Sequence, residues 1–141
     1  MRLKGWIFFD ELSGNLGGFR EKIARGSFAD TIKSADIRCL LNHDVNYVIG
    51  RTANGTLMLR EEEKGLYFEA IPGNSQWEKD LVAKIKRRDI SNNSFGFLIQ
   101  DEEWSYARGE AVRTLKKVEL FDVSAVTFPA YSGSRVFVED D

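Results

Sequence analysis

Apolar and polar positions along the chain change period several times, mostly in short segments. Residues 3–9, Leu-Lys-Gly-Trp-Ile-Phe-Phe, predict an opening strand. The loop Ser13-Gly14-Asn15-Leu16-Gly17-Gly18 follows, where Gly and Asn tolerate positive φ, and residues 19–24 predict a second strand. Ser27 is set to cap a short helix running to Lys33, with Asp30 at the capping-box position. The apolar run 37–41, broken by Arg38, predicts a buried strand leading straight into Asn42-His43-Asp44. Asn54-Gly55 is a hairpin-turn signal. Residues 56–60 and 66–71 predict strands on either side of the acidic loop Glu61-Glu62-Glu63-Lys64-Gly65, and Pro72-Gly73 ends the second.

Helical period is clear over residues 76–88, where Trp77, Leu81, Val82 and Ile85 share a face and Ser75 or Asn74 can cap the start. Lys84, Lys86, Arg87 and Arg88 lie at its C-terminus, where the macrodipole favours positive charge; this reads as a solvated helix end rather than a nucleic-acid patch. Strands are predicted again over 90–100 and 112–126. The polar stretch 101–109 between them reads as a hairpin loop. In the second of these strands Val118, Leu120 and Asp122 alternate with Glu119, Phe121 and Val123. Residues 136–141 form a short apolar stretch closed by acids. Many strands with one main and one minor helix predict a β-rich α+β fold, a barrel or sandwich with helical inserts.

Composition narrows the chemistry. The 141 residues are expected to form one domain, 1–141, with a core of useful size. At 43% hydrophobic and 30% charged, the chain has the balance of a soluble globular protein. A net charge of −2 makes no electrostatic case for nucleic acid as a partner. Apolar runs fall far short of the ~18 residues of a membrane span. The start, Met1-Arg2-Leu3-Lys4-Gly5, lacks the apolar segment of a secretory signal. Cys39 is the only cysteine, which excludes an internal disulfide and suits a reducing compartment. His43 is the only histidine, so multi-His or multi-Cys metal sites are excluded and any imidazole base must be His43. No phosphate-binding or dinucleotide glycine motif is present, and no cofactor is expected. The acids Glu61, Glu62 and Glu63 are more simply a solvated turn than a metal site.

Three settings can carry chemistry. His43 follows an apolar strand, and its ordinary pKa lies near neutrality, so it can take and return a proton; its plain alternative is a surface histidine. Ser94 lies between Asn92-Asn93 and Phe95-Gly96-Phe97, a spacing unlike the Gly-x-Ser-x-Gly elbow, with Ser91 a competing hydroxyl better read as a turn residue. Asp122 interrupts a strongly apolar strand, and a buried carboxylate is costly unless paired. It could orient an imidazole or pair with a cation; Glu119 and Asp44 are weaker candidates for the orienting role.

Taken in order, these segments resemble the tailed-phage prohead (capsid maturation) serine proteases, a family related to herpesvirus assemblin. The resemblance runs from Leu16-Gly17-Gly18-Phe19 and Gly26-Ser27-Phe28 through Leu41-Asn42-His43-Asp44, Ile49-Gly50-Arg51-Thr52 and Gly65-Leu66-Tyr67-Phe68-Glu69. It continues through Asp89-Ile90-Ser91 and Ser94-Phe95-Gly96-Phe97 to Glu119-Leu120-Phe121-Asp122-Val123-Ser124 and Val126-Thr127-Phe128-Pro129-Ala130-Tyr131. It implies Ser94 as nucleophile and His43 as base. Assemblin-like enzymes use a second histidine as third member, which this chain lacks, and Asp122 stands at the matching place. The implied fold is a herpesvirus-protease-like β-barrel with surrounding helices. The implied task is cleavage, inside the prohead in the host cytoplasm, of the scaffold protein or the scaffolding segment of the major capsid protein, and of the enzyme itself. Backbone amides near residues 129–133 are implied as oxyanion donors, with Arg135 a possible aid. A homo-oligomer, in the form of a dimer, is also implied. The length is expected to cover the protease core alone. The rival expectation is a catalytically silent assembly module of the same fold that only binds scaffold.

Overall fold

The computed structural model describes residues 1–141, the side chain of Ala107 apart. Strand β1 (Arg2–Phe8) buries every second side chain, among them Leu3 and Ile7. It pairs antiparallel with β6 (Gly65–Ala70) on one side and β9 (Arg135–Glu139) on the other. β5 (Leu57–Glu61) adds to β6, giving a four-stranded sheet in the order β5-β6-β1-β9.

The second sheet is organised by β8 (Glu110–Val126). β2 (Phe19–Ile23) lies parallel to its first half and β3 (Arg38–Leu41) parallel to its second half. β4 (Asp44–Arg51) pairs antiparallel with β3, and β7 (Asn92–Ala107) runs antiparallel along the other flank of β8. One core draws Leu3, Leu66 and Phe68 from the first sheet and Cys39, Phe95 and Val123 from the second. Two sheets share that core, and neither closes on itself into the expected barrel. The β-rich composition of the fold agrees with the sequence pattern.

Helix α1 is short (Thr31–Ser34), and α2 (Gln76–Lys86) buries Leu81, Val82 and Ile85. Ser75, one of the two expected caps, forms a capping box with Glu78 at its start. No helix among the described residues is long and apolar enough to cross a membrane.

Three local expectations change. Ser27 does not cap α1: its buried hydroxyl donates to the carbonyls of Ala24 and Leu115, and the helix starts four residues later without a side-chain cap. Asn54-Gly55 does not close a hairpin. It turns the chain from β4 in one sheet to β5 in the other, with Gly55 at φ 77, a conformation costly for any residue with a Cβ. The stretch 101–109 is not a loop. β7 continues through it to a tight turn at Arg108-Gly109, paired with the first half of β8, and because residues 101–106 stand in solvent they need no apolar face.

Candidate active site

The site begins with a one-residue irregularity in β8. Phe97 pairs with Leu120 and Gly96 with Asp122, so Phe121 is an extra residue on the β8 side. Without it, Asp122 would follow Val118 and Leu120 into the core, as strict alternation predicts. The bulge reverses the phase: Val123 and Ala125 take the core positions and Asp122 and Ser124 turn to the outer face. The same register puts Ser94 directly opposite Ser124 and Phe95 opposite Val123. Ser94, Gly96, Asp122 and Ser124 therefore share one face. Directly opposed Cβ atoms lie roughly 5 Å apart, which sets the distance from Ser94 to Ser124. Gly96 is required at its place, because a Cβ there would lie 3.1 Å from Asp122 Cγ and closer still to Oδ1.

His43 reaches this face through the β3–β4 turn. Leu41 pairs with Asp44, leaving a two-residue turn in which Asn42 (φ 51) and His43 (φ 57) are both left-handed. A left-handed φ is uncommon outside glycine, and Asn and His are among the residues that adopt it most readily. The turn is tied to the end of β8: the Asn42 amide donates to the Ala125 carbonyl at 2.8 Å, and its side-chain oxygen accepts from the Thr127 amide at 2.9 Å. Its amide group also donates to Thr127 Oγ1 at 3.3 Å.

With the turn held there, His43 Nδ1 lies 2.7 Å from Asp122 Oδ2. The same carboxylate oxygen accepts the Ser124 hydroxyl at 2.6 Å. Asp122 is nearly buried, whereas the His43 side chain is 41% exposed, so the ring faces solvent with its far edge. A carboxylate at Nδ1 fixes the tautomer in which Nδ1 carries the proton and Nε2 has a free lone pair. The hydrogen bond that His43 donates to Asp122 raises the His43 pKa above its ordinary 6.5, against the opposing effect of partial burial. A group so arranged can act as a base through Nε2 while its new positive charge is held by the carboxylate behind it.

The other sequence candidates go elsewhere. Asp44 turns back on its own strand, accepting from the Asn46 amide at 2.9 Å. Glu119 is exposed and lines a different hollow, beside Thr31 and Lys117. The Ser91 hydroxyl donates to its neighbour Asn92 at 3.3 Å, as a turn residue does. Glu61 caps a loop by accepting from the amides of Gly26 and Phe28, Glu62 pairs with Arg60 and Glu63 with Arg25. Among the described residues no group of three or more His, Cys, Asp and Glu could hold a metal ion. Ser94 Oγ makes no hydrogen bond to His43 among the described residues; in enzymes without substrate such contacts are often long and tighten on binding.

Residues the sequence reading passed over are Asn42, Thr127 and Ser124. The signal for Ser124 was a small polar residue two places from Asp122 within the apolar run Val123-Ser124-Ala125-Val126, but its contact with His43 crosses 81 residues of chain.

The order of motifs along the chain agrees with an independent comparison. No curated protein matches the chain. A family model described as the caudovirus prohead serine protease matches residues 3–141, nearly the whole sequence, and the chain therefore belongs to the caudovirus prohead serine protease family.

Proposed function

We propose that this protein is a serine endopeptidase of capsid maturation that uses Ser94 as nucleophile, His43 as general base and Asp122 as the group orienting the imidazole. The observation that carries the reading is the 2.7 Å contact between His43 Nδ1 and Asp122, on the face that also holds Ser94 one strand away. Family membership supports a capsid maturation role.

In the first half-reaction Ser94 Oγ bonds to the scissile carbonyl carbon while its proton passes to His43 Nε2. The C–N bond then breaks, and His43 returns the proton to the departing amine. In the second half His43 deprotonates water, which attacks the acyl ester and frees Ser94. Asp122 holds the ring and balances the imidazolium in both halves. Oxyanion donors contribute about 3 kcal/mol each, and the backbone N–H groups of residues 130–133, Pro129 having none, are the source we assign. That loop is tied beside Ser94, since Asn92 donates to the carbonyls of Ser132 and Ser134 and Ser134 Oγ accepts from the Asn93 amide.

The substrates in this reading are the scaffold protein or the scaffolding segment of the major capsid protein, together with the enzyme itself, cut inside the prohead by a homo-oligomer, most simply a dimer. The relation to the assemblin barrel belongs to the same reading. Co-expression with capsid or scaffold protein, followed by mass spectrometry, tests it. Fragments formed with the wild type and missing with Ser94→Ala are expected; the same fragments from the variant would remove Ser94 from the mechanism.

A further inference from the structure

We propose that Ser124 is a positioning residue of the site: one buried hydroxyl locks both the Asp122 carboxylate and the left-handed His43 backbone, and Ser94 is activated fully only while it does so. The inference rests on the reading of Ser94, His43 and Asp122 given above.

Ser124 has no exposed surface, yet it lies on the outer face of β8, away from the core. A β-branched apolar residue would suit a buried strand position better. A buried hydroxyl is costly unless its hydrogen bonds are made. Here both go to the site. As donor, Ser124 Oγ reaches Asp122 Oδ2 at 2.6 Å. As acceptor, it takes the main-chain N–H of His43 at 3.2 Å. It also stands 3.4 Å from His43 Nδ1.

The two bonds do different work. Asp122 Oδ2 receives Nδ1 of His43 and the serine hydroxyl together, which fixes the carboxylate in rotation, and the space left by Gly96 accommodates its other oxygen. His43 sits at φ 57, where a non-glycine residue stays only if its surroundings hold it. Asn42 and Thr127 fasten the first residue of that turn; Ser124 fastens the second, at the backbone of the base itself. One hydroxyl thus sets the position of the ring at its main-chain end and at its Nδ1 end.

The test uses the full chain and an alkyl fluorophosphonate, whose P–F bond is replaced by a Ser94 Oγ–P bond as fluoride leaves and His43 takes the proton. Ser124→Ala should lower the maximal labelling rate by about 10- to 100-fold, with the half-saturating probe concentration within about twofold of wild type. In an Asp122→Ala background the same substitution should cost clearly less than in the wild type, because the carboxylate it locks is gone and only the contact with the His43 main chain is left to lose. His43 is the only histidine, so its Nδ1–H gives one downfield proton resonance. That resonance should broaden or shift in Ser124→Ala, which loss of general stability alone would not cause. If circular dichroism shows that Ser124→Ala has lost the fold, the bulk-preserving Ser124→Cys, a far weaker donor, is held to the same outcomes. Labelling at the wild-type rate, an equal loss in the Asp122→Ala background, or an unchanged Nδ1–H resonance would overturn the role of Ser124. Wild-type protein left unlabelled at Ser94 overturns instead the protease reading and Ser124's part in it.

Discussion

Gly96 is the position where a substitution outside the proposed catalytic set should be most informative. Its φ lies outside the left-handed region, so alanine is compatible with the backbone. Replacing glycine by alanine in a strand would ordinarily stabilise the protein by about 0.5–1 kcal/mol. The obstacle is Asp122: the new Cβ would lie 3.1 Å from its Cγ and closer still to Oδ1. Restoring normal carbon contact requires the carboxylate to retreat by roughly 1 Å. A retreat of that size breaks the bonds that Oδ2 accepts from His43 and Ser124. A misplacement of this order costs about 100-fold in rate, and loss of the correct tautomer as much as ~10⁴-fold. We therefore expect Gly96→Ala to reduce fluorophosphonate labelling of Ser94 by about 100- to 1,000-fold. The net stability loss should be under about 2 kcal/mol, since the strand gain offsets part of two weakened hydrogen bonds. The assay pairs the labelling rate with a thermal melt, and the two numbers should separate. A Gly96→Ala protein that labels within about fivefold of wild type would show that the carboxylate position does not limit the chemistry, and the orienting role of Asp122 would fall with it.

Further outcomes follow from single contacts. Asp122→Asn should lower the pKa of His43, because the Asp122 hydrogen bond is what raises it and partial burial then acts unopposed; a proton NMR titration of the sole histidine reads this directly, and an unchanged midpoint would contradict the pairing. In the wild type the raised value means that His43 contributes stability fully below pH 6.5 and loses that contribution as pH rises through the folded pKa, so the melting advantage over Asp122→Asn should narrow toward alkaline pH. The acid limb of the labelling rate, which needs neutral His43, should correspondingly lie above pH 6.5. Glu21 is 2% exposed and accepts from Tyr131 at 2.8 Å and from Arg113 at 2.8 Å, so Glu21→Ala should cost roughly 3 kcal/mol and about 10 °C in a thermal melt; a shift under a few degrees would mean the ion pair is replaceable by water. Burial pushes the Cys39 thiol up, so a thiol reagent should leave it unmodified in the native state and modify it in denaturant; fast reaction of the native protein would mean that β3 opens readily.

What the sequence determined was whatever depends on neighbours along the chain. Strand alternation in β1, the helical stripe of α2 with Ser75 as a candidate cap, and the single histidine and cysteine needed no distant partner to be read. The order of short motifs was likewise enough to indicate the family. Tertiary structure decided which carboxylate meets His43. Asp44 is the sequence neighbour of His43, yet it turns away, while Asp122, 79 residues distant, meets the ring. That outcome depends on the parallel pairing of β3 with β8 and on a bulge at Phe121 that reverses the phase of alternation. Neither is written in local propensity, because a bulge shifts the register by one residue without altering which residues favour strands. The polar run 101–109 misled for the same kind of reason: residues 101–107 owe their strand form to pairing with β8 across the hairpin rather than to an apolar face of their own. Ser124 was legible only as an oddity in an apolar run. Its significance comes from the fold, which places one hydroxyl between a carboxylate and the main chain of a left-handed histidine.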